Sequence, residues 1–170
     1  GMQKYLRDSF AREKPYDRMV HELVTATGST TPGDEKFNGA TNFLIDKVNE
    51  EKASLATAAT TRIFLGLQVQ CTQCHNHPCN DWKQAKYCAR DAVLRQGRAF
   101  PGGARARDGG GAQLADQDFR GESQGKSEIF FEMRNGLSKV AYPVFVDGNE
   151  IERSGLVNVV NRRKELANMM

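Results

Sequence analysis

No stretch of this chain approaches the ~18 consecutive apolar residues of a membrane helix, so the segment is read as lacking a membrane span. The net charge is only +3, and no basic stripe interleaved with aromatics occurs. Both observations argue against a nucleic-acid binder. Cysteine is absent outside residues 71 to 88. A disulfide framework staples distant segments, so this crowding points instead to one local site. No catalytic acid–base pair or activated nucleophile stands out. No secretory signal is visible. Gly1-Met2 looks like a fragment start, and Leu166 to Met170 reads as a helix cut in mid-course. Both suggest a piece of a longer protein, with further domains on the same chain.

What is present fits one domain over residues 1–170. Hydrophobic residues make up 39% of the chain, enough for a core of modest size. The stretch that organises the rest is Cys71-Thr72-Gln73-Cys74-His75. It has the C-x-x-C-H order of a c-type haem attachment site. Two thiols must reach the two vinyl groups of a porphyrin, which suits a separation of about one helical turn. The imidazole that follows is then placed to ligate the iron. On a helix, positions i, i+3 and i+4 share a face. With 4 Cys and 3 His in 170 residues, chance seldom produces this order.

Other chemistries use the same residues. Cys71 and Cys74 suit a redox disulfide. Cys71, Cys74, His75, His77 and Cys79 offer five soft or borderline ligands for zinc. A buried structural clasp is the third possibility.

The chain around the motif reads as mainly helical. A first helix is expected over residues 2–13, with Tyr5, Leu6 and Phe10 at helical spacing. Pro15 opens a second, in which Tyr16, Met19, Val20, Leu23 and Val24 form an amphipathic stripe that ends before Gly28. Met19 belongs to its core face, and His21 lies off it. Ser29 to Gly39 is a loop, and Thr41 or Asn42 caps a short helix through Val48. The longest helix is expected over 53–70, with a stripe of Leu55, Ala59, Ile63 and Leu67 leading toward Cys71. Gly66 marks tight packing or a break, and the helix is expected to fray before Cys71.

Pro78 pushes His77 out of helical geometry. Asn80 or Asp81 caps the next helix, which carries Trp82, Tyr87, Ala92 and Leu94. Its Arg90 and Arg95 read as a solvated face, with haem propionates as alternative partners. A Gly/Arg-rich loop is expected over about 97–126, where Gly97 to Gly125 hold eight of the 16 glycines. Gly109-Gly110-Gly111 lacks the flanking strand and helix that a phosphate cradle needs. Next comes one β-hairpin: Glu128 to Arg134, the turn pair Asn135-Gly136, then Leu137 to Val146. Pro143 limits the second strand. Met133, beside the turn, reads as structural filler or as a second axial ligand. Asn161 caps the closing helix, Arg162 to Met170.

The segment Cys71-Thr72-Gln73-Cys74-His75-Asn76-His77-Pro78, with Asn80-Asp81-Trp82-Lys83-Gln84 after it, resembles the planctomycete cytochrome C-associated domain. Phe64 to Gln70, Lys14-Pro15-Tyr16-Asp17 and Glu22-Leu23 resemble its earlier parts. Ala141 to Gly148 and Asn161 to Ala167 resemble its tail. The resemblance implies large secreted or periplasmic proteins, often with a separate cytochrome domain and a further uncharacterised domain. It implies Cys71 and Cys74 as thioether positions and His75 as the axial ligand. His77 and Asp81 are further motif positions without an established role. Cys79 and Cys88 stand where the family is expected to carry aromatic residues, and residues 86–111 match poorly.

The expectation is thus a mainly α domain with one β-hairpin near its C-terminus. It is read as a c-type cytochrome-like module that holds haem c on Cys71, Cys74 and His75 and exchanges electrons with a redox partner protein. The second axial ligand is Met133, His77 or none. A zinc module on the five-ligand set is the alternative. The third reading is a structural or substrate-binding segment of a secreted polysaccharide-associated protein.

Overall fold

The computed structural model describes residues 1–48, 53–79, 81–101, 111–117, 129–145, 147–152, 154 and 158–170. Five helices run along the described chain: α1 Met2–Ala11, α2 Tyr16–Thr25, α3 Ser54–Phe64, α4 Gln84–Leu94 and α5 Arg162–Met169. Five short strands accompany them: β1 Gly28–Ser29, β2 Gly97–Pro101, β3 Ala112–Asp116, β4 Ile129–Glu132 and β5 Ser138–Ala141. The fold is helix-rich, but it has more than the one expected hairpin. An antiparallel sheet of order β1-β3-β2 stands beside the β4–β5 pair. None of the described helices is long and apolar enough to cross a membrane.

The additional sheet lies where a Gly/Arg-rich loop was expected. Gly97 pairs with Asp116, and Pro101 with Ala112. Leu114 alone is deeply buried from β3, so the strand has too few apolar residues to show alternation in its sequence. Gly97 has a packing role: a Cβ there would lie 2.7 Å from Arg163 Nη1. Residues 102–110 and 118–128 lie outside the described residues, as do Asn80 and Val146.

The main core gathers Met19, Val20, Leu23 and Val24 of α2, Phe43 and Leu44, Val93 and Leu94 of α4, Leu114 and Leu166. The α2 stripe behaves as its spacing predicts, except that Tyr16 is exposed. The short helix after the loop is a 3-10 segment, Gly39–Phe43. Asn38, rather than Thr41 or Asn42, caps it by accepting from the Ala40 N–H at 3.0 Å. Helices α1 and α2 are clamped by Glu22, which takes hydrogen bonds from Tyr5 Oη at 3.0 Å and from Lys14 Nζ. Burial pushes the Glu22 carboxyl up, but those two bonds and the Lys14 and Arg18 charges outweigh it and hold it below its usual range. Burial and the Glu22 carboxylate push Tyr5 up to about 12.

Helix α3 turns the opposite way from its expected stripe. Leu55 and Ile63 are 45% and 58% exposed, whereas Ser54, Ala56, Thr57, Thr60 and Thr61 are buried. The small Ala/Thr face fits close against α4, and much of its polarity is satisfied internally. Thr61 Oγ1 donates to Thr57 O at 2.8 Å, Thr57 Oγ1 to Asp91 Oδ1 at 3.2 Å, and Tyr87 Oη to Ser54 O at 2.7 Å. Helix α3 then stops at Phe64. Gly66 adopts φ +65°, the left-handed region that favours glycine.

Helix α4 is buried from Tyr87 to Leu94, arginine included. Arg90 is only 6% exposed and lies over the Trp82 ring at 4.4 Å, donating Nη1 to Lys86 O at 2.9 Å. The expected solvated face is therefore absent at this position, because α3, α5, the hairpin and the motif turn all pack around α4.

The hairpin forms as predicted, with Ile129 opposite Ala141 and Phe131 opposite Lys139. Its turn differs in type. Met133 N–H donates to Leu137 O and Gly136 N–H to Met133 O, closing the three-residue loop Arg134-Asn135-Gly136. Gly136 has φ +79°, while Asn135 stays out of the positive-φ region. The turn is therefore the longer hairpin connection in which glycine alone needs that region. Pairing ends at Ala141, before Pro143.

Helix α5 closes the fold through Asn161, whose Oδ1 accepts from Lys164 N–H at 2.9 Å. Two buried arginines anchor it. Arg162 N–H donates to Gln96 Oε1 at 2.6 Å, and Arg163 Nη2 to Ala26 O at 2.6 Å. Arg163 Nε also lies 2.9 Å from Asp116 Oδ1.

Candidate functional site

The C-x-x-C-H segment is a tight turn rather than the end of α3. Gln70–Gln73 form one 3-10 turn and Cys74 closes it. A 3-10 turn has three residues per turn, so i and i+3 eclipse. Cys71 lies within this turn and Cys74 directly after it, beyond the end of α3 as the expected fraying before Cys71 implies.

Thr72, between the thiols, is the residue that holds the turn. It is 0% exposed, and its Oγ1 donates to Val69 O at 2.6 Å. Cys71, Cys74 and Cys79 are exposed free thiols, while Cys88 is buried under the hairpin. Spacing alone drew attention to the cysteines and missed Thr72. Its available signal was a hydroxyl that can bond the carbonyl three residues back.

The turn is joined to α4 and the hairpin by two amides. Asn76 Oδ1 accepts from the Gln84 N–H at 3.1 Å, serving the first turn of α4 from outside the helix. The expected start at Asn80 or Asp81 is thus too early: the helix begins at Gln84, with Lys83 as an N-cap that makes no side-chain hydrogen bond. Gln84 Nε2 donates to Gln73 O at 3.3 Å and to Glu132 O at 3.1 Å. One buried side chain therefore ties the residue before Cys74 to the residue before Met133.

The two motif histidines are prepared differently. His75 Nδ1 lies 2.6 Å from Asn76 O. A carbonyl only accepts, so Nδ1 carries the proton, and the neutral ring presents a bare Nε2. A hydrogen bond from the other ring nitrogen is the usual way to fix a ligating imidazole. In His77 the polarity is reversed. Cys79 N–H donates to His77 Nδ1 at 3.1 Å, so the neutral ring carries its proton on Nε2. His21 is remote, with Nε2 3.2 Å from Asn168 Oδ1, and Met19 is core.

Beside the turn lies a cleft of about 1040 Å³. Small-molecule sites usually occupy about 300–1,000 Å³. Cys74, His75 and Pro78 form one side, α4 contributes Ala85, and the hairpin brings Phe131 and Met133. Lys83, Arg134 and Lys139 also line it, and no carboxylate does among the described residues. Cys71, His77 and Cys79 are not part of the lining. Among the described residues, no three His, Cys, Asp or Glu side chains gather into a metal-holding group. The set Cys71, Cys74, His75, His77 and Cys79 is therefore not assembled as a zinc site here. Arg90 and Arg95 are not in the lining either, so they are not the cations that face the cleft.

The PSCyt2 family, described as a protein of unknown function (DUF1549), matches residues 1–99, more than half of the chain. The chain belongs to this family, the planctomycete cytochrome-associated domain. No curated protein and no solved structure matches the chain. The PSCyt2 match takes in α1 to α4 and the whole motif turn. It stops before the hairpin, so Phe131, Met133, Arg134 and Lys139 in the cleft wall lie beyond it. The tail segments 141–148 and 161–167 lie beyond it too.

Proposed function

We propose that this PSCyt2 domain is a c-type cytochrome-like module that carries one covalently attached haem for electron transfer. The observation that supports this best is His75. Its Nδ1–H is committed to Asn76 O, its Nε2 is free, and it stands directly after Cys74 on the wall of the cleft. Cys71 and Cys74 would each add an S–H across one vinyl group, a redox-neutral step that forms a C–S bond. Cys74 does so from the lining and Cys71 from one turn earlier. His75 Nε2 would ligate the iron. Pro78, Ala85 and Phe131 offer apolar contact to a porphyrin face, and Lys83, Arg134 and Lys139 match its carboxylates in charge.

When bound, the haem supplies a one-electron couple at its iron. Covalent attachment of this kind implies a periplasmic or secreted location, and a separate redox partner protein would accept or deliver the electron.

The test is expression of the full chain with the c-type maturation machinery. A Soret band that survives acid-acetone extraction is expected. It should be lost in the Cys71→Ala/Cys74→Ala double variant, with the fold retained by circular dichroism. A fully matured, folded protein without covalent haem would overturn the reading.

A further inference from the structure

We infer that the cleft receives a diffusible organic anion that carries several oxyanion groups, planar carboxylates or tetrahedral sulfates or phosphates. The inference uses neither thiol and does not rest on the haem reading. It starts from the charge of the lining. Lys83 stands at the N-cap of α4, Arg134 in the hairpin turn and Lys139 on β5, so the cations come from both walls. Among the described residues none of the three is ion-paired, and no carboxylate lines the space. Ammonium and guanidinium groups only donate, and they bond oxyanions more strongly than neutral acceptors.

Two asparagines of the lining extend the same bias. Asn76 Oδ1 accepts from Gln84 N–H at 3.1 Å, and Asn135 Oδ1 accepts from Leu137 N–H at 3.2 Å. A backbone N–H only donates, so each amide must meet it with its oxygen, which leaves Nδ2 as the unused end. Among the described residues neither Nδ2 has an acceptor. Three cations and two amide donors thus stand against two side-chain nitrogen or oxygen acceptors, His75 Nε2 and Gln84 Oε1. A neutral, hydroxyl-rich ligand brings donors as well as acceptors, and most of those donors would find no partner here. An oxyanion brings acceptors alone. The space of about 1040 Å³ is far larger than one inorganic ion, which calls for an organic frame between the charged groups. Pro78 and Phe131 give that frame apolar contact. Phe131 lies opposite Lys139 in the hairpin register, so aromatic carbon and a cation share one sheet face.

The experiment is calorimetric titration of the full chain with its thiols free, at fixed ionic strength. The probes are benzenetricarboxylate and benzenetrisulfonate, with inorganic sulfate and neutral benzenetrimethanol as references. At least one trianion should bind at a single site and more tightly than either reference, and the tighter of the two tells planar from tetrahedral oxyanions. Arg134→Gln and Lys139→Gln should each weaken that binding by about tenfold or more. Lys164→Gln, an exposed cation of α5 outside the lining, should leave it unchanged. Asn76→Asp and Asn135→Asp are the sharpest variants. Each keeps the Oδ acceptor that meets the backbone N–H but replaces the amide donor with an anionic oxygen, so the circular dichroism should stay and the affinity should fall. Trianions that bind no tighter than the references overturn the inference. So do equal losses in Lys164→Gln, or Asp variants that bind as the wild type does. The Soret test uses matured protein and this one the free-thiol chain, so the failure of either reading is visible without the other.

Discussion

Helix α4 packs Val93 and Leu94 into the main core, and Cys88, Ala89 and Ala92 into the small cluster under the hairpin. The first neighbourhood draws on α2, the 3-10 segment, β3 and α5. The second holds little beyond Ile129, Phe131 and Ala141 and opens into the cleft. One helix therefore separates a region that stabilises the fold from a region that leaves room for a ligand. The price of that room is a thin hydrophobic layer beneath the site, held in place by polar bonds such as those of Gln84.

The comparison is sharpest in side-chain truncation. Leu44→Ala, at a 0% exposed position in the main core, should cost about 2–5 kcal/mol in urea unfolding. Phe131→Ala removes more volume but borders the cleft, where neighbours can relax and water can enter, so it should cost less. An equal or larger loss for Phe131→Ala would break the distinction between the two neighbourhoods.

A smaller effect should follow Gln84→Ala. It leaves the Gln73 and Glu132 carbonyls without that donor, a loss of about 1–3 kcal/mol. The damage should be local. Amide hydrogen exchange should speed up in β4 and β5 and stay unchanged in α2. Uniform acceleration through both regions would mean that the hairpin is not a separately held unit.

The smallest effect belongs to the α1–α2 clamp. The folded Glu22 carboxyl titrates below its ordinary value of 4.5, so its contribution is present above that value and disappears as pH falls through the lowered folded one. Tyr5, raised to about 12, gives the opposite limb: its contribution holds below about 10 and is lost on the way to 12. The stability gap between wild type and Glu22→Gln should therefore be open at neutral pH and shrink in acid. A gap that is constant from pH 7 to pH 3 would rule out this linkage.

Much of the helical frame was legible because single features sufficed. The Met19, Val20, Leu23 and Val24 spacing, the Asn161 cap and the Asn135-Gly136 turn region each declare an element locally. The errors arose where a partner decides. Leu55 and Ile63 make the stronger apolar stripe on α3, yet the small Thr/Ala face is the one that approaches α4 and finds Asp91 and Tyr87. Arg90 looks like a surface residue until Trp82 covers it. Strand β3 gains its place from pairing on both sides, which no local pattern announces.

At the candidate site, the residue types and the adjacency of Cys74 and His75 were readable from spacing. The opposite hydrogen-bond roles of His75 and His77 were not, because they depend on which backbone group each ring meets. The far wall was half readable: Met133 stood out as a sulfur donor, while Lys83, Arg134 and Lys139 drew no notice.

Thr72 carries one more implication. The motif turn is nailed down by a hydroxyl facing inward, while the cysteines on either side are exposed and form no disulfide. A descendant chain could drop both thiols and still fold this corner the same way.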